Sequence, residues 1–317
     1  MQDLLNRRID YLRVSITDRC NLRCKYCMPE DLPSIPHDSI MRYEEILRIC
    51  AIMAKSGIRT VKVTGGEPLV RRGCIDFIKR LKATPGIEHV TMTTNGVLLE
   101  PYITALAALK IDCVNISLDS LDAETYKRIT GRDEIHKAWQ SINKAVETGL
   151  RIKINCVPVK GLNENEILPV ARLAETFAVD VRFIELMPAG ADLQGVPASE
   201  IIDIIQREFT DLTPDFSLRG FGPARYFKSG RLKGTIGLID AVSSHFCSSC
   251  NRLRLTSEGF LKLCLYHDDG IDLRALLRAG VSDNEIQEKI AAAVRNKPER
   301  HFLNDGEIIT KMSRIGG

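Results

Sequence analysis

The sequence predicts an α/β fold: a partial (βα)6 barrel of the TIM type, followed by a smaller C-terminal α+β domain. Three observations carry this. Short β-branched runs alternate with amphipathic helical stretches over the first two-thirds of the chain, which implies right-handed crossovers and a parallel sheet. The runs alternate apolar with polar residues, whereas parallel strands buried on both faces read as continuous apolar runs. From about residue 195 the regular alternation ends, so the domains are expected at 1–195 and 196–317.

The expected strands are Tyr11–Thr17, Thr60–Thr64, His89–Asn95, Asp112–Asp119, Arg151–Val157 and Val179–Leu186. Between them lie helical segments such as Tyr43–Lys55, Ile75–Ala83, His136–Thr148 and Asn165–Phe177. Gly57, Gly86 and Gly149 follow or break helices near strand starts, as C-terminal caps do. Leu12, Val14 and Ile16 face one way, and Arg13, Ser15 and Thr17 the other. Lys62, Lys153 and Arg182 sit at the same polar phase in their own strands. The apolar set belongs under the helices and the polar set points into the lumen. A closed barrel fills its lumen with branched apolar side chains, so a polar lumen calls for an open barrel around a large polar ligand.

Beyond residue 195 the expected elements are a helix at Ala198–Glu208, a Gly- and Pro-rich stretch at Thr213–Gly234, and strands at Thr235–Ile239, Arg252–Thr256 and Phe260–Cys264. Helices near Leu273–Arg278 and Asp283–Arg295 complete the smaller domain.

Composition bounds the setting. Hydrophobic residues make up 44% of 317, enough for a real core, and the net charge of +3 supplies no global field for nucleic acid. No run approaches the ~18 apolar residues of a membrane span, and Met1–Arg8 has no apolar signal region. A cytoplasmic, reducing setting is therefore expected, with cysteines available for metal. Cys50, Cys74, Cys113 and Cys156 stand alone and read as small buried hydrophobes.

The chemistry is concentrated in two cysteine sets. Cys20, Cys24 and Cys27 form C-x3-C-x2-C. Three thiolates can hold three irons of a [4Fe–4S] cube and leave the fourth iron open to a small molecule. A zinc site or a four-Cys ferredoxin loop is the alternative, but no fourth Cys lies near. Cys247, Cys250 and Cys264 form C-x2-C-x13-C. Here Cys3His zinc is an ordinary alternative, with His245 and His267 nearby. Arg252 and Arg254, two residues apart on a strand, share one face and favour an anion or nucleotide site. With Arg13, Lys62, Lys153 and Arg182 they make six cations for one cavity, which suits a triphosphate. Single members of this set could instead pair with Asp119, Glu185 or solvent. Thr64-Gly65-Gly66-Glu67-Pro68 ends the second strand, its glycines allowing close backbone approach and Glu67 offering an anion to an ammonium, although taken alone it reads as a plain strand-to-helix turn. The chain ends in Gly316-Gly317, thin enough to enter a narrow channel.

The first cysteine loop, with the Gly-Gly-Glu-Pro turn after it, resembles the signature of radical S-adenosylmethionine (SAM) enzymes, whose core is a partial (βα)6 barrel. Thr94-Asn95-Gly96, Ser117-Leu118-Asp119, Arg182–Pro188, Phe246–Leu255, Cys264 and the terminal Gly-Gly extend the resemblance over essentially the whole chain. Together they resemble the GTP 3′,8-cyclases, the branch that opens molybdenum cofactor biosynthesis.

The resemblance implies a SAM-binding [4Fe–4S] cluster on Cys20, Cys24 and Cys27, and an auxiliary [4Fe–4S] cluster on Cys247, Cys250 and Cys264 whose open side meets guanine. It implies SAM contacts at Tyr26, Gly65, Gly66, Glu67, Ser117 and Met187. It implies GTP contacts at Arg13, Lys62, Thr93, Lys153, Arg252 and Arg254, with Arg182 added. Position 62 is often Arg in the family, and Lys keeps the charge without the fork. The implied reaction removes the ribose C3′ hydrogen of GTP by a 5′-deoxyadenosyl radical, joins C3′ to C8, and gives 3′,8-cyclo-7,8-dihydro-GTP. The resemblance also implies a homodimer, electrons from a donor such as flavodoxin or ferredoxin, and product transfer to cyclic pyranopterin monophosphate synthase. The terminal Gly-Gly would reach toward the second cluster. Another radical SAM branch with an auxiliary cluster, or a non-enzymatic iron–sulfur sensor, would share some of these motifs.

Overall fold

The structure, a computed structural model, describes residues 1–28, 35–187, 193–244 and 246–300. His245 and the terminal Gly316-Gly317 lie outside the described residues. The early strands are β1 (Tyr11–Ser15), β2 (Thr60–Thr64), β3 (His89–Thr94), β4 (Cys113–Ser117), β5 (Ile152–Cys156) and β6 (Asp180–Ile184). The later ones are β7 (Thr213–Asp215), β8 (Arg225–Lys228), β9 (Thr235–Ile239), β10 (Arg252–Leu255), β11 (Phe260–Lys262) and β12 (Gly270–Asp272). The helices are α1 (Tyr43–Lys55), α2 (Cys74–Lys82), α3 (Ile103–Ala108), α4 (Ala123–Thr130) and α5 (Ile135–Glu147). They continue with α6 (Ile167–Ala171), α7 (Leu173–Thr176), α8 (Ala198–Glu208), α9 (Leu273–Arg278) and α10 (Asp283–Arg295).

Two compact units result. One comprises Met1–Asn21, Glu30–Thr93 and Cys247–Gly317, and the other Leu22–Pro29 and Thr94–Phe246. In the first, the strand order is β12-β11-β10-β1-β2-β3. β1 runs parallel to both β2 and β10, and β2 parallel to β3. β10, β11 and β12 are antiparallel to one another in turn. Parallel neighbours need a crossover, and α1 and α2 supply it between β1, β2 and β3. In the second unit the order is β4-β5-β6-β9-β8-β7, parallel from β4 to β9 and antiparallel beyond.

The period-two pattern sorts each strand into two faces. Leu12, Val14, Val61, Val63, Val90 and Met92 are fully or almost fully buried, as are Ile46, Ile49 and Phe77 of α1 and α2. The second unit buries Val114, Ile116, Ile154, Val181, Phe183, Ile236 and Leu238 in the same way. Removing these side chains from water is the main favourable term for each unit.

The segment expected as one helix over Asn165–Phe177 is instead a 3-10 turn at Glu164–Glu166 followed by α6 and α7. Pro169 has no N–H and must sit in a first helical turn, where no donor is required. It therefore fixes the start of α6 close behind it. Asp122 caps the N-terminus of α4 and Gly131 (φ 70°) closes its C-terminus.

Candidate functional site

Register turns the sequence pattern into rows. In the first unit Arg254 lies opposite Arg13, Arg13 opposite Lys62, and Lys62 opposite Thr91. In-register residues of neighbouring strands project from one face, so four polar side chains line up across four strands. Arg252 is two residues from Arg254 on the same face. Thr93, half-buried, is two residues past Thr91 on β3.

Burial is the largest cost to the Arg254 charge. Repulsion from Arg13 and Arg252 adds to it, and the Cys250 and Cys264 thiolates oppose it. Arginine does not lose its proton in proteins. The crowding is therefore a standing cost, which the Cys250 and Cys264 thiolates offset in part. Burial would push the Cys250 thiol up, yet Lys297, Arg252 and Arg7 bring it below its ordinary value. The three cysteines of this set are half-buried and free of disulfides. A thiol held toward its anion among cations fits a thiolate ligand of an iron–sulfur cluster.

The first cysteine loop is held at both ends. At its entry, Gly66 N donates to the Thr17 carbonyl and Glu67 N to the Arg19 carbonyl, both at 2.8 Å. A β-carbon on Gly66 would collide with the Arg19 carbonyl, and one on Gly65 would stand 2.7 Å from that of Thr17. The backbone that approaches these glycines is thus the chain's own. Glu67 is fully buried and its carboxylate caps the following turn at Leu69 N, 3.0 Å away.

Within the second unit, Arg23 N and Lys25 N donate to the Thr130 and Ile129 carbonyls at 2.8 and 3.0 Å. These are among the last carbonyls of α4, which have no partner within the helix. Tyr26 donates its hydroxyl to Asp119 Oδ2 at 2.5 Å, and Asp119 Oδ1 accepts from Val157 N at 2.8 Å. Burial raises the Asp119 carboxyl to about 6 against the pull of these two bonds. Cys20, Cys24 and Cys27 are half-buried and in no disulfide. Among the described residues no three His, Cys, Asp or Glu side chains gather on a single metal ion. A cube asks less, because each thiolate takes a different iron.

The second unit has its own polar rows. Asn115, Lys153 and Asp180 are in register, as are Ser117, Asn155, Arg182 and Gly237. Arg182 Nη2 donates to Asn155 Oδ1 at 2.6 Å and to Asn115 Oδ1. Lys153 Nζ pairs with Asp180 Oδ2 at 2.9 Å, donates to the Tyr226 hydroxyl at 2.9 Å, and reaches the Arg219 carbonyl. Met187 is half-buried at the edge of the described residues.

Asp119 and Glu185 are committed to partners other than these cations. Asp119 serves Tyr26 and Val157, while Glu185 accepts from Ala198 N, Val242 N and both Ser243 donors. The partner of Lys153 is Asp180, which the sequence reading passed over. Its only signal is the β5–β6 register, which composition does not set. Lys297, Tyr226 and Gly237 have partners remote in the chain, and so do the carbonyls that Arg7 holds, although its carboxylate partner Asp3 is local.

Comparisons with known proteins show the family and the fold. The Radical SAM superfamily profile matches residues 14–174, and the Molybdenum Cofactor Synthesis C profile matches residues 179–303. A GTP 3′,8-cyclase from Pelotomaculum thermopropionicum is 43% identical, covering 100% of both chains. One from Heliobacterium modesticaldum is 45% identical, again covering 100% of each. Streptococcus suis SuiB, solved bound to S-adenosylmethionine, shares the fold with a TM-score of 0.66 at 14% identity, covering 91% of this chain and 68% of its own. Motif, rows and relatives converge: the chain belongs to the GTP 3′,8-cyclase family of radical SAM enzymes, a superfamily that works with SAM and an iron–sulfur cluster.

Proposed function

We propose that the chain converts GTP to 3′,8-cyclo-7,8-dihydro-GTP, the first step of molybdenum cofactor biosynthesis, using SAM and two [4Fe–4S] clusters. Cys20, Cys24 and Cys27 hold the SAM-binding cluster, and Cys247, Cys250 and Cys264 hold the second, next to guanine. When bound, the first cluster and SAM supply the 5′-deoxyadenosyl radical that takes the ribose C3′ hydrogen and so permits the C3′–C8 bond.

The observation that carries the reading is the crowding of Arg13, Arg252 and Arg254 beside the Cys250 and Cys264 thiols. A triphosphate offsets those charges, and two-pronged guanidinium forks suit its oxygens. Lys62 contributes charge without a fork, and Thr93 a hydroxyl. Arg182 is aimed by Asn115 and Asn155 and so meets the substrate pre-oriented, whereas Lys153, whose three donors go to Asp180, Tyr226 and Arg219, contacts it by exchanging one of them. Tyr26, Gly65, Gly66, Glu67, Ser117 and Met187 position SAM. Functionally the division falls near residue 195, the radical chemistry before it and the auxiliary cluster after it. On this reading the enzyme acts in the cytoplasm as a homodimer, takes electrons from a flavodoxin or ferredoxin, and passes its product to cyclic pyranopterin monophosphate synthase. Among the described residues no helix is long and apolar enough to cross a membrane.

The test is anaerobic iron and sulfide analysis of the reconstituted chain and of a Cys247→Ser/Cys250→Ser/Cys264→Ser variant, with GTP-dependent 5′-deoxyadenosine release measured alongside. About eight irons falling to about four, with GTP-dependent release lost, is the expected result. About four irons plus one zinc in the parent overturns the second cluster.

A further inference from the structure

Arg7 is buried and spends all five of its N–H donors. Nε donates to Asp3 Oδ2 at 2.5 Å. Nη1 donates to the Cys247 and Glu299 carbonyls at 2.9 and 3.0 Å, and Nη2 to those of Lys297 and Pro298 at 3.1 and 2.7 Å. Asp3 is fixed in turn, its Oδ1 accepting from Arg7 N at 2.9 Å and Leu5 N at 3.0 Å.

Lys297 is buried as well. Its Nζ donates to the Arg252 carbonyl at 3.0 Å and to the Leu263 carbonyl. The His267 ring, through Nε2, meets the Arg300 carbonyl at 3.2 Å. Four successive carbonyls, from Lys297 to Arg300, are therefore held by side chains from elsewhere in the first unit.

The other carbonyls in these contacts have a common address. They belong to Cys247 itself, to Arg252 two residues past Cys250, and to Leu263 immediately before Cys264. Burying an ammonium is costly unless a negative charge answers it. Among the described residues no carboxylate pairs with Lys297, whose Nζ donates to backbone carbonyls of the Cys250 and Cys264 arms.

We propose that Arg7 and Lys297 are positioning residues for the second cysteine set, joining its three segments to one another and to the start of the C-terminal segment at Lys297. Arg7 ties the Cys247 turn to residues 297–299, and Lys297 ties the Cys250 and Cys264 arms together. The ligand segments are then held before any cluster arrives, and Lys297 supplies the cation that a thiolate-bound cluster balances. This rests on the reading that the second set holds a cluster.

Two full-length parents separate the proposal from that reading. One carries Cys20→Ala, Cys24→Ala and Cys27→Ala and keeps only the second set. The other carries Cys247→Ser, Cys250→Ser and Cys264→Ser and keeps only the first. In the first parent about four irons per chain are expected. There, Arg7→Gln and Lys297→Met should release iron to a chelator at least about tenfold faster, with an altered electron paramagnetic resonance spectrum of the reduced cluster. Arg7→Lys, which keeps the charge and some donors, should fall between. In the second parent the same substitutions should leave iron release unchanged. Unchanged release from a first parent holding about four irons overturns the proposal alone. Equal acceleration in both parents also overturns it, because that is general loosening of the fold. A first parent that takes up zinc and no iron overturns the cluster reading, and the proposal falls with it.

Discussion

Gly237 lies opposite Arg182 on the neighbouring parallel strand, and a β-carbon there would stand 2.8 Å from Arg182 Cγ and 3.0 Å from the Tyr226 ring. The missing side chain is what lets the Arg182 stem lie flat on the sheet while its head reaches Asn115 and Asn155. Gly237→Ala should therefore displace Arg182 or Tyr226, at about 1–3 kcal/mol of overpacking. Thermal unfolding should show the loss, and the KM for GTP should rise. An unaltered KM would remove Arg182 from the substrate contacts.

The Lys153–Asp180 pair predicts an acid-sensitive stability. Burial would raise the Asp180 carboxyl, but Lys153, Thr235 and Arg219 hold it below its ordinary value. A depressed carboxylate stabilises the native state above its unfolded value of about 3.9, and that contribution is lost as pH falls through the folded value. Asp180→Asn leaves a buried ammonium without its partner and should cost about 3–5 kcal/mol near neutral pH. The deficit should shrink below about pH 4 in denaturant titrations of the apo chain.

Asp119 predicts the opposite slope. Its folded value, about 6, lies above that of the unfolded chain, so its contribution is favourable at low pH and is lost as pH rises from about 4 through the folded value. Asp119→Asn should flatten this part of the stability profile in the apo chain. Tyr26→Phe removes a bond to the ionised carboxylate and should move the Asp119 titration higher, as followed by carboxyl carbon NMR. A downward shift would contradict the assignment of Tyr26 as donor.

The row of cations predicts a trade between stability and binding. Arg254→Met removes a buried charge that Arg13 and Arg252 repel. The nucleotide-free chain should melt at a higher temperature, while GTP affinity falls about tenfold or more for the loss of a charged hydrogen bond. Calorimetry on the same preparations reads both quantities. A lower melting temperature together with unchanged affinity would mean that Arg254 is a structural residue.

The face each residue takes was readable from the chain. Arg13 between Leu12 and Val14, or Lys153 between Ile152 and Ile154, signals a half-polar strand through period two alone. The cysteine spacings and the turn at Gly65-Gly66 were equally plain. The pairing of β10 with β1 and the offsets between neighbouring strands were not readable. Arg254 meets Arg13 because β10 pairs with β1 across some two hundred and forty residues, and Lys153 meets Asp180 through the offset of β5 against β6. Arg7 was further out of reach, because four of its partners are carbonyls, which every residue possesses.

That β1–β10 pairing has a consequence for how the protein is made. β2, the neighbour of β1 on one side, is synthesised about forty-five residues after it. The other neighbour, β10, is synthesised about two hundred and forty residues after β1. At about 5–20 residues per second, that edge of β1 waits on the order of ten seconds or longer. An open strand edge is a template for pairing with other chains. Slow translation or a shortage of holding chaperones should therefore trap nascent chains through β1.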